Sequence, residues 1–392
     1  MSIAEPPTIP QSDYVRRWNA VQGLMAEKGL DLILTYSDDR ATAGAAHARY
    51  LTGFPPHFEA VCVLLPRESE PVLLCGPESE EYARLVGRVK ETRVLREFTH
   101  PDEDYPYAKL QSIGQVVNEF KRVGRVVRIG VGGFGMMPGG VLDAFKHSLP
   151  QAELVDAEAE LCGVRAVKSP AEIAVIRYAY GVAERGMEAA YAAVKPGVTE
   201  RFVAAEAEYA MRRAGSEGMG IDTIVASGPN TRPILARTTF RRIKSDDLVV
   251  ITLAPRVEGY HGAIARPLIV GDPGEEVVRA AKSAIRAQSE CRSAIRAGVP
   301  GRDVEAVGRR VMSEAGWGRN FLYSGVHSVG VVEFEPPIFG PSSGGALREN
   351  MVVSVDIPLF DASWGGLRVE DGYLVRGDGC EWLSKTAMDL WT

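Results

Sequence analysis

The sequence predicts an α/β (α+β) protein in two domains, and three features carry that prediction. Short apolar runs alternate with helix-like stretches over about the first 150 residues, the mark of an α/β layer. Near residue 166 the texture changes, with a capped, Ala-rich amphipathic segment. Beyond it, helix pairs separate β-type runs to the end of the chain. The expected domains are 1–160 and 161–392.

Residues 13–29 place Val15, Trp18, Val21, Leu24 and Met25 at helical spacing and stop at Gly29. DLILTY (31–36) reads as a strand; VCVLLP (61–66) and PVLLCG (71–76), joined by a polar turn, read as a hairpin. RIGVGG (128–133) and AELVDA (152–157) are β-like and flank a helix-like stretch at 139–148. Ser169 is placed to cap the next helix, with Pro170 at its first position and Glu172 at its third. Lys195, Pro196 and Gly197 stop that helix, and Thr199 caps another running to Arg213. β-type runs at 221–227, 247–254 and 258–270 precede a helix pair, 274–297 and 301–315. β-rich segments at 325–335, 350–360 and 367–375 close the chain.

With 392 residues, 45% hydrophobic and 24% charged, the chain can bury a full core. A net charge of −6 gives no basic footprint for nucleic acid, and no Lys/Arg run suggests an anionic membrane surface. No apolar stretch reaches the ~18 residues that span a bilayer. The polar, Pro-rich start MSIAEPPTIPQSDY does not read as a secretory signal. Cys62, Cys75, Cys162, Cys291 and Cys380 are scattered without CxxC spacing, which fits buried, reduced thiols in a cytoplasmic protein. The glycines of RIGVGGFG and SSGG read as turns, not as a phosphate-binding loop. The expected partner is a small-molecule substrate, with neither nucleic acid nor membrane.

A series of motifs runs through the chain in order. The N-terminal half has R-x-x-x-[VL]…M-x-x-x-G-L-D-x-[IL] (17–33) and RYLTGF (49–54), and the junction is RAVKSPAEIAVIR (165–177). ASGPNTRP (226–233), DLVVITLAP (247–255), GYHGAIARP (259–267), HSVGVVEFEPP (327–337), ENMVVSVDIP (349–358) and GLRVEDGYLV (366–375) follow. Together they resemble the creatinase, prolidase and aminopeptidase P group, the M24-like proteins. The resemblance implies an N-terminal creatinase/prolidase-like domain, a C-terminal catalytic domain of the pita-bread fold, and a homodimer.

It also implies where a metal pair would sit. Metal-dependent members of the group hold two divalent cations with two Asp, one His and two Glu. On the matching motifs these positions fall on Thr252, Ala263, His327, Asp356 and Glu370. Thr252 offers a neutral hydroxyl and Ala263 offers nothing. Two further His positions of the group fall near Leu235 and on Phe334. The resemblance therefore implies a divergent member that lacks most metal ligands. Creatinase is the group's precedent for hydrolysis without metal, and it too lacks the Asp in the Thr252 region. Its catalytic His falls near Leu235, however, and a Glu it uses falls on Ala265, so creatine is not the expected substrate.

What remains is still chemically loaded. Residues two apart in a strand share a face, so His261 is expected to point the same way as Ala263. His261, His327, Asp356 and Glu370 are then the expected catalytic residues of one pocket. A His with a carboxylate partner serves as a general base near neutral pH. The same four residues could instead hold a single divalent ion. Each also has an ordinary structural reading. His261 could be a common buried or surface His. Asp356 and Glu370 could form an ion-pair network with Arg368, Arg266 or His327, because an unpaired carboxylate in an apolar strand is costly.

Tyr260, Arg266, Glu335, Arg368 and Thr252 are the expected substrate-binding residues, and Glu333 or Glu335 could replace lost acid–base capacity. Arg232, Arg237, Arg241 and Arg242 in the loop 231–242 read either as a clamp for a carboxylate or as a solvated basic loop. His47, Arg49 and His57 flank RYLTGF, a region that approaches the partner's pocket in related dimers. His100 and His147 read as surface residues. The expected function is a hydrolase, with a lyase as a variant, that cleaves a C–N or related bond in a small polar substrate without metal or other cofactor. The alternatives are an Xaa-Pro peptidase with a single-metal site and a non-catalytic pita-bread binding protein.

Overall fold

A computed structural model of the chain describes residues 5–40, 42–123, 126–386 and 390–391. Two compact units are present, Ile9–Arg165 and a second built from Ala166 onward. The sequence texture changes near 166, where the second unit begins; the expected division at 160/161 lies a few residues before it.

In the first unit, α1 (Gln11–Lys28) buries Trp18, Val21 and Met25. It ends at Gly29, whose φ of 65° is the left-handed turn that glycine adopts without a Cβ clash. β1 (Leu32–Ser37), α2 (Ala46–Thr52) and the hairpin of β2 (Val61–Pro66) and β3 (Val72–Cys75) follow. Then come α3 (Glu80–Val86), β4 (Glu91–Val94), α4 (Ile113–Val123), β5 (Arg128–Gly132), α5 (Gly139–Ser148), β6 (Glu153–Asp156) and α6 (Glu158–Ala166). The strands form one mixed sheet in the order β4-β3-β2-β1-β5-β6. Periodicity does not find α2, α3, β4, α4 or α6. α2 and α3 have 7 residues each, too few for an apolar stripe to repeat.

The second unit opens with α7 (Pro170–Ala193). Its start is a reciprocal cap: Glu172 N–H donates to Ser169 Oγ at 3.1 Å, and Ser169 N–H donates to Glu172 Oε2 at 2.7 Å. α8 (Glu200–Arg213), capped by Thr199, packs against it. Next are β7 (Gly218–Met219), β8 (Ile224–Ser227), β9 (Leu248–Leu253), β10 (Pro255–Val257), β11 (Tyr260–His261) and β12 (Ile264–Ile269). The paired helices α9 (Glu275–Ala294) and α10 (Gly301–Glu314) lead to β13 (Val326–Ser328), β14 (Glu335–Ile338), β15 (Val352–Ala362), β16 (Gly365–Val375) and β17 (Cys380–Trp382). The main sheet runs β14-β13-β15-β16-β12-β9-β8, with β17 on β16; β11-β10-β7 form a small separate sheet.

Alternation along β15 and β16 sets the functional face. Val353, Val355, Ile357, Leu367 and Val369 enter one core cluster with residues of α9 and α10. Ser354, Asp356, Arg368, Glu370 and Gly372 are thereby turned to the opposite face.

Two sequence expectations need correction here. The run 258–270 is not one strand: it breaks at Gly262 and Ala263, and its halves join different sheets. Glycine is needed at the break, because a Cβ on Gly262 would lie 2.6 Å from the α7 backbone at Ala179 and Tyr180. The run 325–335 is strand only at its ends, and residues 329–334 form a loop. Among the described residues, no helix is long and apolar enough to cross a membrane.

The cap at α7 gives a direct test. Ser169→Ala removes one half of it and should cost about 1 kcal/mol, seen as a fall in Tm of about 2–4 °C in a thermal melt. An unchanged melt would show that the cap contributes nothing.

Candidate active site

Strand register assembles the site. Across β15 and β16, Asp356 stands opposite Glu370, Ser354 opposite Gly372 and Pro358 opposite Arg368. Glu370 is opposite Ala265 on β12, Ala265 opposite Thr252 on β9, and His327 opposite Ser354. Residues paired across antiparallel strands share a face. His327, Ser354, Asp356, Arg368, Glu370, Ala265 and Thr252 therefore belong to one surface.

His327 is buried, and its Nδ1 lies 3.0 Å from the Ser328 carbonyl. A proton held there leaves Nε2 with a free lone pair. Nε2 is 3.7 Å from Glu370 Oε1, which also accepts a 2.7 Å hydrogen bond from Ser354 Oγ. Glu333 reaches in from the loop after β13. Ligand atoms of His327, Glu333 and Glu370 lie within 4.8 Å of one another, the one such group of potential metal ligands among the described residues. Asp356 accepts a hydrogen bond from Tyr323 and faces Arg368 Nε at 3.3 Å. The Arg368 guanidinium lies over the rings of Tyr323 and Phe360. Phe334 covers His327, with 4.3 Å between ring centroids. Thr252 and Arg368 border a narrow cleft of about 10 Å³, room for one water molecule.

Burial sets the protonation of this cluster. It pushes Glu333 up to about 7, reinforced by the charge of Glu370. It pushes Asp356 up to about 6, against the opposing pull of Arg368. Burial acts in the same sense on Glu370, but His327, Arg368 and the Ser354 hydroxyl together hold that carboxyl below its ordinary value. For His327 burial works against the proton, and the nearby Glu370 and Glu333 outweigh it, so its pKa is raised. Neighbouring acids whose environments push their pKa values apart divide into proton donor and proton acceptor.

Of the other expected site residues, His261 lies beside Glu333, both against Gly220, whereas Tyr260, Arg266 and Glu335 are engaged in the framework. His261 is buried, but β11 belongs to the small sheet, and the chain leaves that sheet before β12 begins. The alternation that links His261 to Ala263 therefore does not carry across. Its Nδ1 bonds the Gly330 carbonyl at 3.0 Å, and burial lowers its pKa to about 4. Neither His261 nor Asp356 belongs to the metal-ligand group, where Glu333 stands instead. Arg266, one position out of register with Glu370, is tied to Asp371 at 2.7 Å and to the Glu370 carbonyl at 2.8 Å. Tyr260 donates to Glu172 at 2.6 Å, and Glu335 pairs with buried Lys168 at 3.1 Å. These three anchor the strands.

Arg232 pairs with Asp361, Arg237 with Asp222 and Arg241 with Asp247, so most of the basic loop is already neutralised. Leu235 is exposed. In the first unit His57, His100 and His147 are exposed, Arg49 is buried, and His47 is buried against Glu158 at 2.9 Å. Tyr323 and Ser354 are site residues that sequence reasoning misses. The alternation of MVVSVDIP does put Ser354 on the Asp356 face, whereas nothing in the sequence points to Tyr323.

Residues 174–377 match the model for metallopeptidase family M24, and residues 17–167 match the creatinase/prolidase N-terminal domain. An Xaa-Pro dipeptidase of Pyrococcus horikoshii is 29% identical over 295 residues, covering 74% of this chain and 84% of that protein. An uncharacterized peptidase of Staphylococcus aureus is 26% identical over 339 residues, covering 86% and 91%. Among solved structures, a P. horikoshii prolidase superposes with a TM-score of 0.82 at 24% identity, over 96% of this chain and 99% of that one. A Thermococcus sibiricus prolidase gives 0.84 at 22%, over 97% and 99%. The structural likenesses show a shared fold.

A metallopeptidase family implies metal, and the donor set here can be tested for it. Two adjacent divalent ions need several carboxylates to offset their charge. Thr252 and Ala263 provide none, Asp356 is engaged by Arg368 and Tyr323, and the Tyr180 phenol lies where a Cβ on Gly372 would be. These residues do not fit a metal pair. His327, Glu333 and Glu370 together could hold one ion.

Two measurements probe the electrostatics. Arg368→Met leaves Asp356 buried without its cation and should cost about 3–5 kcal/mol; adding Asp356→Asn should recover most of the loss, as read by denaturant unfolding. Glu333 holds its proton up to about pH 7 when folded, against 4.5 for its ordinary value. The folded state thus binds the extra proton between these limits, and stability falls as pH rises through them. Glu333→Gln should flatten that decline between pH 5 and 8; an unchanged slope would refute the assignment.

Proposed function

Since the chain belongs to metallopeptidase family M24, a family of hydrolases, we propose that it hydrolyses a C–N or related bond in a small polar substrate without the family's metal pair. One observation carries this reading: a buried His327–Glu333–Glu370 cluster on the surface it shares with Thr252 and Ala265, neither of which offers a carboxylate. His327 Nε2 takes a proton from water as the water oxygen attacks the scissile carbon. Glu370 stabilises the imidazolium, and Ser354 orients Glu370. Neutral Glu333 gives its proton to the leaving nitrogen as the C–N bond breaks. The proton on His327 then returns to Glu333, so one water is consumed and the enzyme is restored. Arg368, held by Asp356, supplies fixed positive charge beside the cluster. Positioned acid–base groups of this kind contribute about 10²–10⁴-fold in rate. Cytoplasmic location and homodimeric assembly complete the proposal, on the pattern of the family.

One observation favours a second reading. The same three residues converge closely enough to hold a single divalent ion, as an atypical Xaa-Pro peptidase would require. The purified protein, with its metal content measured, should be assayed with and without chelator on a panel of Xaa-Pro dipeptides, amides and amidines. The proposal predicts turnover that chelator does not affect, substoichiometric metal, and a loss of about 10²-fold or more in kcat for His327→Ala. Stoichiometric metal with chelator-sensitive turnover would establish the second reading. A wild type inactive across the panel would point to a non-catalytic binding protein.

A further inference from the structure

Tyr180 lies on α7 outside every motif described above, and its side chain is fully buried. The α7 backbone comes so close to the turn between β11 and β12 that only glycine fits at Gly262. From that point the ring runs across Gly372, where a Cβ would overlap the phenol oxygen. Gly372 is two residues beyond Glu370 on the same face, and it stands opposite Ser354, whose hydroxyl binds Glu370. A helix residue thus delivers a hydroxyl to the edge of the acid cluster.

That hydroxyl has no hydrogen-bond partner at bonding distance. The Ala263 backbone acts on its oxygen, which leaves its hydrogen unspent. Burial, then the charges of Glu370, Asp371 and Glu333, hold the phenol protonated. A buried donor without an acceptor is costly, and folded proteins keep few of them. The acceptor that fits beside a hydrolytic cluster is an oxygen on the scissile carbon.

We propose that Tyr180 is a catalytic residue: its hydroxyl donates a hydrogen bond to the carbonyl-type oxygen of the substrate as negative charge develops there. The inference rests on the hydrolase reading and narrows its substrates to those whose scissile carbon bears such an acceptor. The phenol keeps its proton throughout, so the proton balance of hydrolysis is unchanged.

Tyr180→Phe keeps the ring and removes only the hydroxyl. With a substrate from the panel above, kcat should fall by about 10²-fold, as for loss of one oxyanion donor, while KM stays within about threefold. Tm should be equal to or above that of the wild type, because an unspent donor has left the core. A Tm several degrees lower would mark the hydroxyl as a structural bond and overturn the proposal. Unchanged kcat at unchanged Tm would overturn it while leaving the hydrolase reading intact. A wild type without turnover would remove both.

Discussion

Two carboxylates, Asp356 and Glu370, stand directly opposite each other on adjacent strands in the interior of the second unit. Like charges at that spacing, away from water, require compensation. A pair of divalent ions would supply it in a metal-dependent member of the family. Here Arg368 takes Asp356, Glu333 retains a proton, and Glu370 is held by the Ser354 hydroxyl and the nearby Arg368, with His327 poised to carry positive charge beside it. The arrangement of the site follows from that balance of charge.

The framework serves the same end. Apolar residues of β15 and β16 pack with α9 and α10, which commits the intervening polar residues to the other face. Asp371, the neighbour of Glu370, is held by Arg266, so the strand carries an ion pair of its own beside the site. Lys168, buried at the junction segment, binds both Glu335 and the hydroxyl of Ser328, next to His327. Several motif residues that invite a catalytic reading are of this kind. Arg266, Tyr260 and Glu335 fix the strands that carry the chemistry.

Much of this is legible in the sequence, because alternation and capping are local. MVVSVDIP and LRVEDGYLV place Asp356 and Glu370 on one face without knowledge of the partner strand, and Ser169 with Glu172 announces α7. What escapes depends on contacts between distant segments. His261 cannot be oriented by parity with Ala263, because the chain changes sheets at Gly262 under pressure from the α7 backbone; its ring lies beside Glu333, both against Gly220. Glu333 cannot be oriented by strand parity because 329–334 is a loop. Tyr180 reads as one more residue of an Ala-rich helix until Gly372 is seen to make room for it. The family is legible from motifs in order; its usual metal chemistry does not follow from the same motifs, since ligand positions can change while the scaffold residues around them stay.

We propose that protein charges take the place of a metal pair in this site. Anomalous diffraction from crystals grown with millimolar Mn²⁺ tests it most directly. No pair of metal peaks is expected on the surface bearing Thr252, Asp356 and Glu370, and Arg368 should remain bound to Asp356. Two peaks about 3.5–4 Å apart on that surface, with Arg368 displaced from Asp356, would contradict it.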